Sequence, residues 1–276
     1  DGANTVHENL TGVKSKDTNV NIIITPAIED ISSDQITQIN NIAAATTGQV
    51  TATLDGNVAV LDDLTASGTS ATCALTIVVD DVATVAQGKA IVDATSVATV
   101  DFSAAGLTGA LATYIAATGN GIHGSLTAIK NKDTNINIVV TPTVENITAN
   151  QVAQINNIAL ATSGTVTASI DGNAAELDNL AANGTSATCA LTIVVDDAVT
   201  VAQGKIIVDA TSITTVDFSA AGVSDTLANS IDTNAIHASL TAIKNKDTNI
   251  NITLSTINTI TAAQVGHLNL VTDVTT

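Results

Sequence analysis

The sequence contains no arginine, no tryptophan and no methionine, and only three aromatic residues, Phe102, Tyr114 and Phe218. Its 8 basic residues are all lysine and face 26 acidic ones, for a net charge of -18. Affinity for nucleic acid comes from neutralising phosphates, and anionic membranes attract basic segments. Neither nucleic acid nor a membrane surface is therefore an expected partner. No apolar run reaches the roughly 18 residues that would suggest a membrane-spanning helix. Two cysteines, Cys73 and Cys189, are too few for a disulfide scaffold. There is no nucleophile elbow, phosphate loop or Ser-His-Asp order. A β-helical polysaccharide enzyme would need aromatic platforms and basic residues, which are scarce here. The expectation is a protein that is not an enzyme, with no catalytic residues and no cofactor. The chain opens at Asp1 with no Met and no basic-plus-apolar leader, which reads as a processed chain or a fragment.

What is present is small and repetitive. Ala, Val, Ile and Leu make up most of the 45% apolar content, so the core is thin and regular. Ser32-Ser-Asp-Gln35, Thr84-Val-Ala-Gln87, Thr148-Ala-Asn-Gln151, Thr200-Val-Ala-Gln203 and Thr261-Ala-Ala-Gln264 share one pattern. Ser/Thr-x-x-Gln ahead of apolar residues at helical spacing is a capping box. The hydroxyl accepts from the N3 amide, and the Gln reaches back to the N-cap amide. One short helix has been built five times.

Longer phrases recur too. Val50-Thr-Ala-Thr-Leu-Asp-Gly-Asn57 matches Val166-Thr-Ala-Ser-Ile-Asp-Gly-Asn173 at an offset of 116 (166 − 50). Gly68–Asp81 matches Gly184–Asp197, and Ser-Leu-Thr-Ala-Ile-Lys-Asn-Lys-Asp-Thr-Asn-Ile-Asn-Ile occurs at 125–138 and 239–252. The organisation is a partial unit over 1–48, a full unit of about 116 residues over 49–164 and a slightly shortened one over 165–276. Within a unit, β-rich runs recur, most of them 22 to 30 residues apart with the longest gap holding two helical segments, at Val20–Thr25, Gln49–Leu54, Ala74–Val79, Val97–Phe102 and Ile136–Thr141. They return at Thr165–Ile170, Ala190–Val195, Ile213–Phe218 and Ile250–Leu254. The near-continuous Leu75-Thr-Ile-Val-Val79 suits a parallel strand buried on both faces. Asn57 and Asn173 read as N-caps, Gly48, Gly68, Gly164 and Gly184 as glycines just past helix ends, and Lys130, Lys132, Lys244 and Lys246 as last-turn cations.

Strand, turn and helix at roughly 25 residues indicate an α/β class, as a repeat solenoid of parallel strands alternating with short helices. A β-solenoid with helical insertions and a string of small α+β domains are the alternatives. At about 4.8 Å per strand, nine strands would form a sheet on the order of 40 Å long. Neither end reads as a polar cap, so the chain is expected to be a slice of a longer one or to stack end to end.

Ala83-Thr-Val-Ala-Gln-Gly-Lys-Ala-Ile-Val-Asp-Ala-Thr95 and Ile147-Thr-Ala-Asn-Gln-Val-Ala-Gln-Ile155 resemble the degenerate repeats of giant secreted surface proteins of cyanobacteria and other aquatic bacteria. The resemblance implies a place in a cell-surface layer, in adhesion, in motility or in an extracellular filament. It also implies glycine-rich calcium nonapeptides, but no Gly-Gly-x-Gly-x-Asp run is present. The low sulfur and absent arginine suit the same extracellular or cell-surface location.

Several residues invite a functional reading. Asp17-x-Asn19, Asp133-x-Asn135 and Asp247-x-Asn249 match the first half of an EF-hand loop but lack its glycine and glutamate. They read first as helix-to-strand turns, with a loose calcium site as the alternative. His7, His123 and His237 share one phase of the repeat, as do Cys73 and Cys189. Stacked several coils apart, neither set can converge on a metal or form a bridge. Asp80-Asp81 and Asp196-Asp197 read as polar turns favouring the helix that follows. Asn9, Asn146, Asn183 and Asn251 begin glycosylation sequons. The leading expectation is a structural protein that self-associates into a filament or layer. The alternative is an adhesin or recognition module that binds glycan or calcium.

Overall fold

In a computed structural model the chain is α/β, with parallel-strand sheets and twelve helices among the described residues. The structure describes residues 6–65, 72–97, 99–102, 104–181, 187–213, 215–233, 235–255, 259 and 261–272. Gly68, Asn183 and Gly184 lie outside them. No helix among the described residues is long and apolar enough to cross a membrane.

The chain forms two compact units. Unit 1, Asp1–Gly109 with Ile122–Val139, opens with α1 (Glu8–Lys14), β1 (Ile22–Ile23) and α2 (Ser33–Ala45). It continues through β2 (Gln49–Gly56), α3 (Val58–Leu61), β3 (Thr72–Val79), α4 (Val85–Asp93), β4 (Val100–Asp101) and β5 (Leu107–Gly109). The next helix, α5 (Leu111–Tyr114), belongs to unit 2, while α6 (Gly124–Lys130) and the start of β6 (Ile138–Val144) return to unit 1. Unit 2, Ala110–Gly121 with Val140–Thr276, continues with α7 (Ala149–Ala161), β7 (Thr165–Gly172), α8 (Ala174–Leu177), β8 (Thr188–Val195) and α9 (Val201–Asp209). It closes with β9 (Val216–Asp217), β10 (Val223–Asp225), α10 (Leu227–Ser230), β11 (Ile231–Asp232), β12 (Ala235–Ile236), α11 (Ala238–Lys246), β13 (Ile252–Leu254) and α12 (Ala262–Thr272).

Inside unit 1, the sheet order β1-β2-β3-β4 is the order of the sequence. Val50 lies opposite Cys73 and Ile77 opposite Val100, each pair 23 residues apart and parallel. Unit 2 repeats this in β6-β7-β8-β9, with Val166 opposite Cys189 and Ile193 opposite Val216. An unchanged register keeps every inward side chain on one face. Leu75, Ile77 and Val79 are wholly buried, whereas Thr76 and Val78 on the other face are half-buried. The strand therefore alternates instead of being buried on both faces, because the opposite face is only partly covered. Burying each such aliphatic side chain stabilises by about 1.5–3 kcal/mol.

All five capping boxes form. In α2, α4, α7 and α9 the hydroxyl accepts from the N3 amide and the Gln accepts from the N-cap amide. At α12, Thr261 N–H donates to Gln264 Oε1 at 2.8 Å, and Gln264 N–H donates to Thr261 Oγ1 at 3.3 Å. The helix ends differ from the glycine reading. α2 and α7 stop on extended Thr46 and Thr162. Gly48 does not adopt positive φ; a Cβ there would stand 2.4 Å from the carbonyl oxygens of Asn19 and Val20. It is glycine because two backbones touch.

Candidate functional site

The ends of β2 and β3 in unit 1 gather three carboxylates. Asp55 is the penultimate residue of β2, Asp80 follows β3, and Asp30 precedes α2 with φ 47°. Their carboxylate oxygens lie within 4.8 Å of one another, the one group of three metal-ligand-type side chains found among the described residues. Partial burial, a hydrogen bond with Asp55 and the charges of Asp55, Asp30 and Asp81 push the Asp80 carboxyl above its ordinary value of 3.8. Unit 2 repeats the column with one change, since Asn146 (φ 49°) stands where Asp30 does. Asn146 N–H donates to Asp171 Oδ1 at 3.4 Å. Asp196 is still pushed up, by burial, by the charge of and a hydrogen bond with Asp171, and by the charges of Asp197 and Glu145. A carboxyl–carboxylate hydrogen bond holds one proton between two acids. Clustered carboxylate oxygens are also what a hard cation such as calcium takes.

The pH dependence follows. Asp80, Asp196 and Asp133 have folded-state values above 3.8. Their contribution to stability is fully present below 3.8 and is lost as pH rises through the raised folded values. Asp217 and Asp225 are lowered, so theirs is present above 3.8 and is lost as pH falls through the depressed values. Melting temperature is expected to rise as pH drops from 7 toward about 4 and to fall below that. A monotonic loss of stability from pH 7 downward would contradict this assignment.

The EF-hand-like motifs serve the backbone. Asp133 and Asp247 are buried, and their Oδ2 atoms accept from Phe102 N–H and Phe218 N–H, each at 2.7 Å. Their Oδ1 atoms accept from Asn135 N–H and Asn249 N–H at 3.1 Å, closing the turn. Desolvation raises the Asp133 carboxyl while these two bonds oppose it, with the Asp101 charge adding to the rise. Asp17 is exposed and accepts from Asn19 N–H at 3.0 Å.

The periodic histidines are helix caps. Nδ1 of His7, His123 and His237 accepts from the amides of Asn9, Ser125 and Ser239 at 3.1 to 3.2 Å, starting α1, α6 and α11. Cys73 and Cys189 are fully buried thiols not joined in a disulfide. Burial pushes both up, Cys189 to about 11, so neither is a thiolate at neutral pH. The paired aspartates act backwards along the chain. Asp81 Oδ1 accepts from Val58 N–H at 2.5 Å and Asp197 Oδ1 from Ala174 N–H at 2.6 Å. They thus cap α3 and α8, which precede them in the chain, and not the helices that follow them. Asn57 and Asn173 hold the N-cap positions without a side-chain cap bond.

Further polar contacts join one strand–helix segment to the next. Thr95 and Thr211 are buried and bond both the N–H and the C=O of Leu75 and of Leu191. Asn40 donates to Asp63 O at 3.0 Å and accepts from Thr65 N–H at 2.9 Å; Asn156 does the same to Asn179 O and Ala181 N–H. Gln87 and Gln203 complete their capping boxes and also donate to Asp62 and Asp178 at 3.1 Å. For the threonines the signal in the sequence is Ala-Thr-Ser/Thr after α2, α4, α7 and α9, at 45–47, 94–96, 161–163 and 210–212. Comparison of the chain with protein-family models, curated proteins and solved structures gave no match.

Proposed function

We propose that the protein is a structural repeat protein of an extracellular filament or cell-surface layer, a solenoid whose coils add length and carry out no chemistry. The observation that carries this reading is the 23-residue, in-register step from β2 to β3 to β4, repeated from β7 to β8 to β9 and held by the same clamps in both units. Thr, Asn, Gln and Asp side chains that would line a site in an enzyme instead bond the backbone or side chains of the adjacent coil. A fixed step adds length by repetition, and an array of this kind gains stability from nearest-neighbour contacts. The acidic, arginine-free composition and the resemblance to secreted surface repeats support an extracellular place. Electron microscopy of the purified chain over a range of concentrations is expected to show rods, filaments or sheets. Dispersed particles at every concentration would remove the reading.

A second reading, a recognition module that binds calcium, is favoured by Asp30, Asp55 and Asp80. Calcium titration followed by calorimetry is its test, with Asp80→Asn as the control. No heat of binding would dismiss it.

A further inference from the structure

Three copies of one structural phrase occur in the chain: α1 with β1, α6 with the start of β6, and α11 with β13. They align at offsets of 116 (123 − 7) and 230 (237 − 7). The second and third copies are seated on the helix and strand that precede them in their own unit. Leu126 and Ile129 are wholly buried, and Ile129 lies against Gly88 of α4, its Cδ1 3.0 Å from where a Cβ would stand. Lys132 Nζ donates to Thr95 O at 3.1 Å and to Val97 O. Asp133 accepts from Phe102 N–H, and Asn137 O accepts from Leu107 N–H at 2.8 Å.

The third copy repeats each contact on α9 and β10. Leu240 and Ile243 are wholly buried, with Ile243 against Gly204. Lys246 donates to Thr211 O and Ile213 O. Asp247 accepts from Phe218 N–H, and Asn251 O accepts from Val223 N–H at 2.7 Å.

The first copy carries the same set in Leu10, Val13, Lys16, Asp17 and Asn21. There α1 buries no residue, Val13 is 48% exposed, and Lys16, Asp17 and Asn21 are exposed. Among the described residues, nothing accepts from Lys16 Nζ, and the one amide that Asp17 binds is that of Asn19 in its own turn. Between these side chains lies an open groove of about 630 Å³, lined by Gly12, Val13, Lys16, Asp17 and Val20. The counterparts of Val20 are Ile136 and Ile250, 0% and 2% exposed.

We propose that this face of unit 1 is a docking surface for a further segment of the Thr84–Gly109 type, one that residues 1–276 do not supply. The inference rests on the stacking reading above and adds which surface stacks and on what. The copies at α6 and α11 define the occupant's chemistry. It brings a helix with a glycine where Val13 arrives, and two carbonyls after that helix for the Lys16 ammonium. Beyond them come a backbone N–H for the Asp17 carboxylate and a strand N–H for Asn21 O. This chain's own segments of that type, Thr84–Gly109 and Thr200–Asp225, are already covered by α6 and α11. The occupant is therefore a further segment of that type.

The test uses the whole chain and one probe sequence in two forms. A labelled peptide of residues 84–109 is titrated against the chain. Separately, residues 84–116 are fused ahead of Asp1, in phase with the repeat, which removes the peptide's ordering penalty. Hydrogen exchange of the α1 amides is read in both, alone and with Val13→Asp, a change at an exposed position. At least ten-fold slower exchange in the fusion, reversed by Val13→Asp, is expected, as is saturable peptide binding weakened at least ten-fold by the same change. Protection in the fusion without peptide binding still supports the surface, with the docking segment held in a folded carrier. Unchanged α1 exchange in the fusion, or binding indifferent to Val13→Asp, overturns the proposal. Filaments seen by microscopy alongside that result would leave the stacking reading standing on another surface.

Discussion

Replacing Thr95 with Val is expected to destabilise the β1-β2-β3-β4 sheet by about 2–4 kcal/mol, at about 1–3 kcal/mol for each buried polar group left unsatisfied. Valine has nearly the shape of threonine, so packing changes little and the loss is polar. Thr95 Oγ1 accepts from Leu75 N–H at 2.9 Å and donates to Leu75 O at 2.7 Å, with Val97 N–H approaching at 3.3 Å. The reason lies in the sheet. Among the described residues β4 pairs with β3 only at Ile77 and Val78, and none pairs as a strand with the first half of that β3 edge. The Thr95 hydroxyl stands in for the missing ladder. Ser96 does the same for Cys73 O, through its amide at 2.7 Å and its hydroxyl at 2.8 Å. Thr95→Ser keeps the hydroxyl and should lose well under half as much. Urea unfolding of Thr95→Val, Thr95→Ser and Thr211→Val checks this; equal losses for the Val and Ser variants would show that the methyl, and not the hydroxyl, matters.

Features written within a few residues were readable from the chain. A capping box needs only a hydroxyl and a Gln three positions on, and Ser32, Thr84, Thr148, Thr200 and Thr261 all form one. The β-branched runs each contain a strand for the same reason, since Leu75-Thr-Ile-Val-Val79 favours extended backbone by itself. β5 and β10 were not readable, because Leu107-Thr-Gly and Val223-Ser-Asp contain no such run. They are strands because Asn137 O and Asn251 O meet them from the next coil. The carboxylate column was hidden in the same way. Asp30, Asp55 and Asp80 are 25 residues apart and meet only through the stacking register. Asp81 looked like a cap for the helix ahead of it, but the register delivers it to the helix behind. Residues whose partner lies on the neighbouring strand–helix segment cannot be assigned until the strand-to-strand spacing is known.

Gly106→Ala carries the other large expected loss, about 2–5 kcal/mol, from about 1–2 kcal/mol for a left-handed alanine and about 1–3 kcal/mol for overpacking. Gly106 has φ 78°, and a Cβ there would stand 2.7 Å from Asn137 O and 3.0 Å from Asn137 Cβ. Asn137 O is the acceptor for Leu107 N–H, so relieving the clash pulls apart the bond that holds β5 to the next coil. Gly119 separates the two causes. Its φ is 76°, but nothing lies within 4 Å of its Cβ position. Gly119→Ala should therefore show the conformational part alone, about 1–2 kcal/mol. The excess of Gly106→Ala over Gly119→Ala, read from denaturant midpoints at equal slope, then measures the coil-to-coil contact. Gly222→Ala should reproduce that excess, since its Cβ would meet Asn251 O at 2.8 Å with φ 73°. If all three variants lost the same amount, close backbone approach would contribute nothing. Stacking would then rest on the side-chain clamps. An excess at Gly106 and Gly222 together would place the limit in the backbone, where only glycine lets the chain ahead of β5 and β10 approach Asn137 and Asn251.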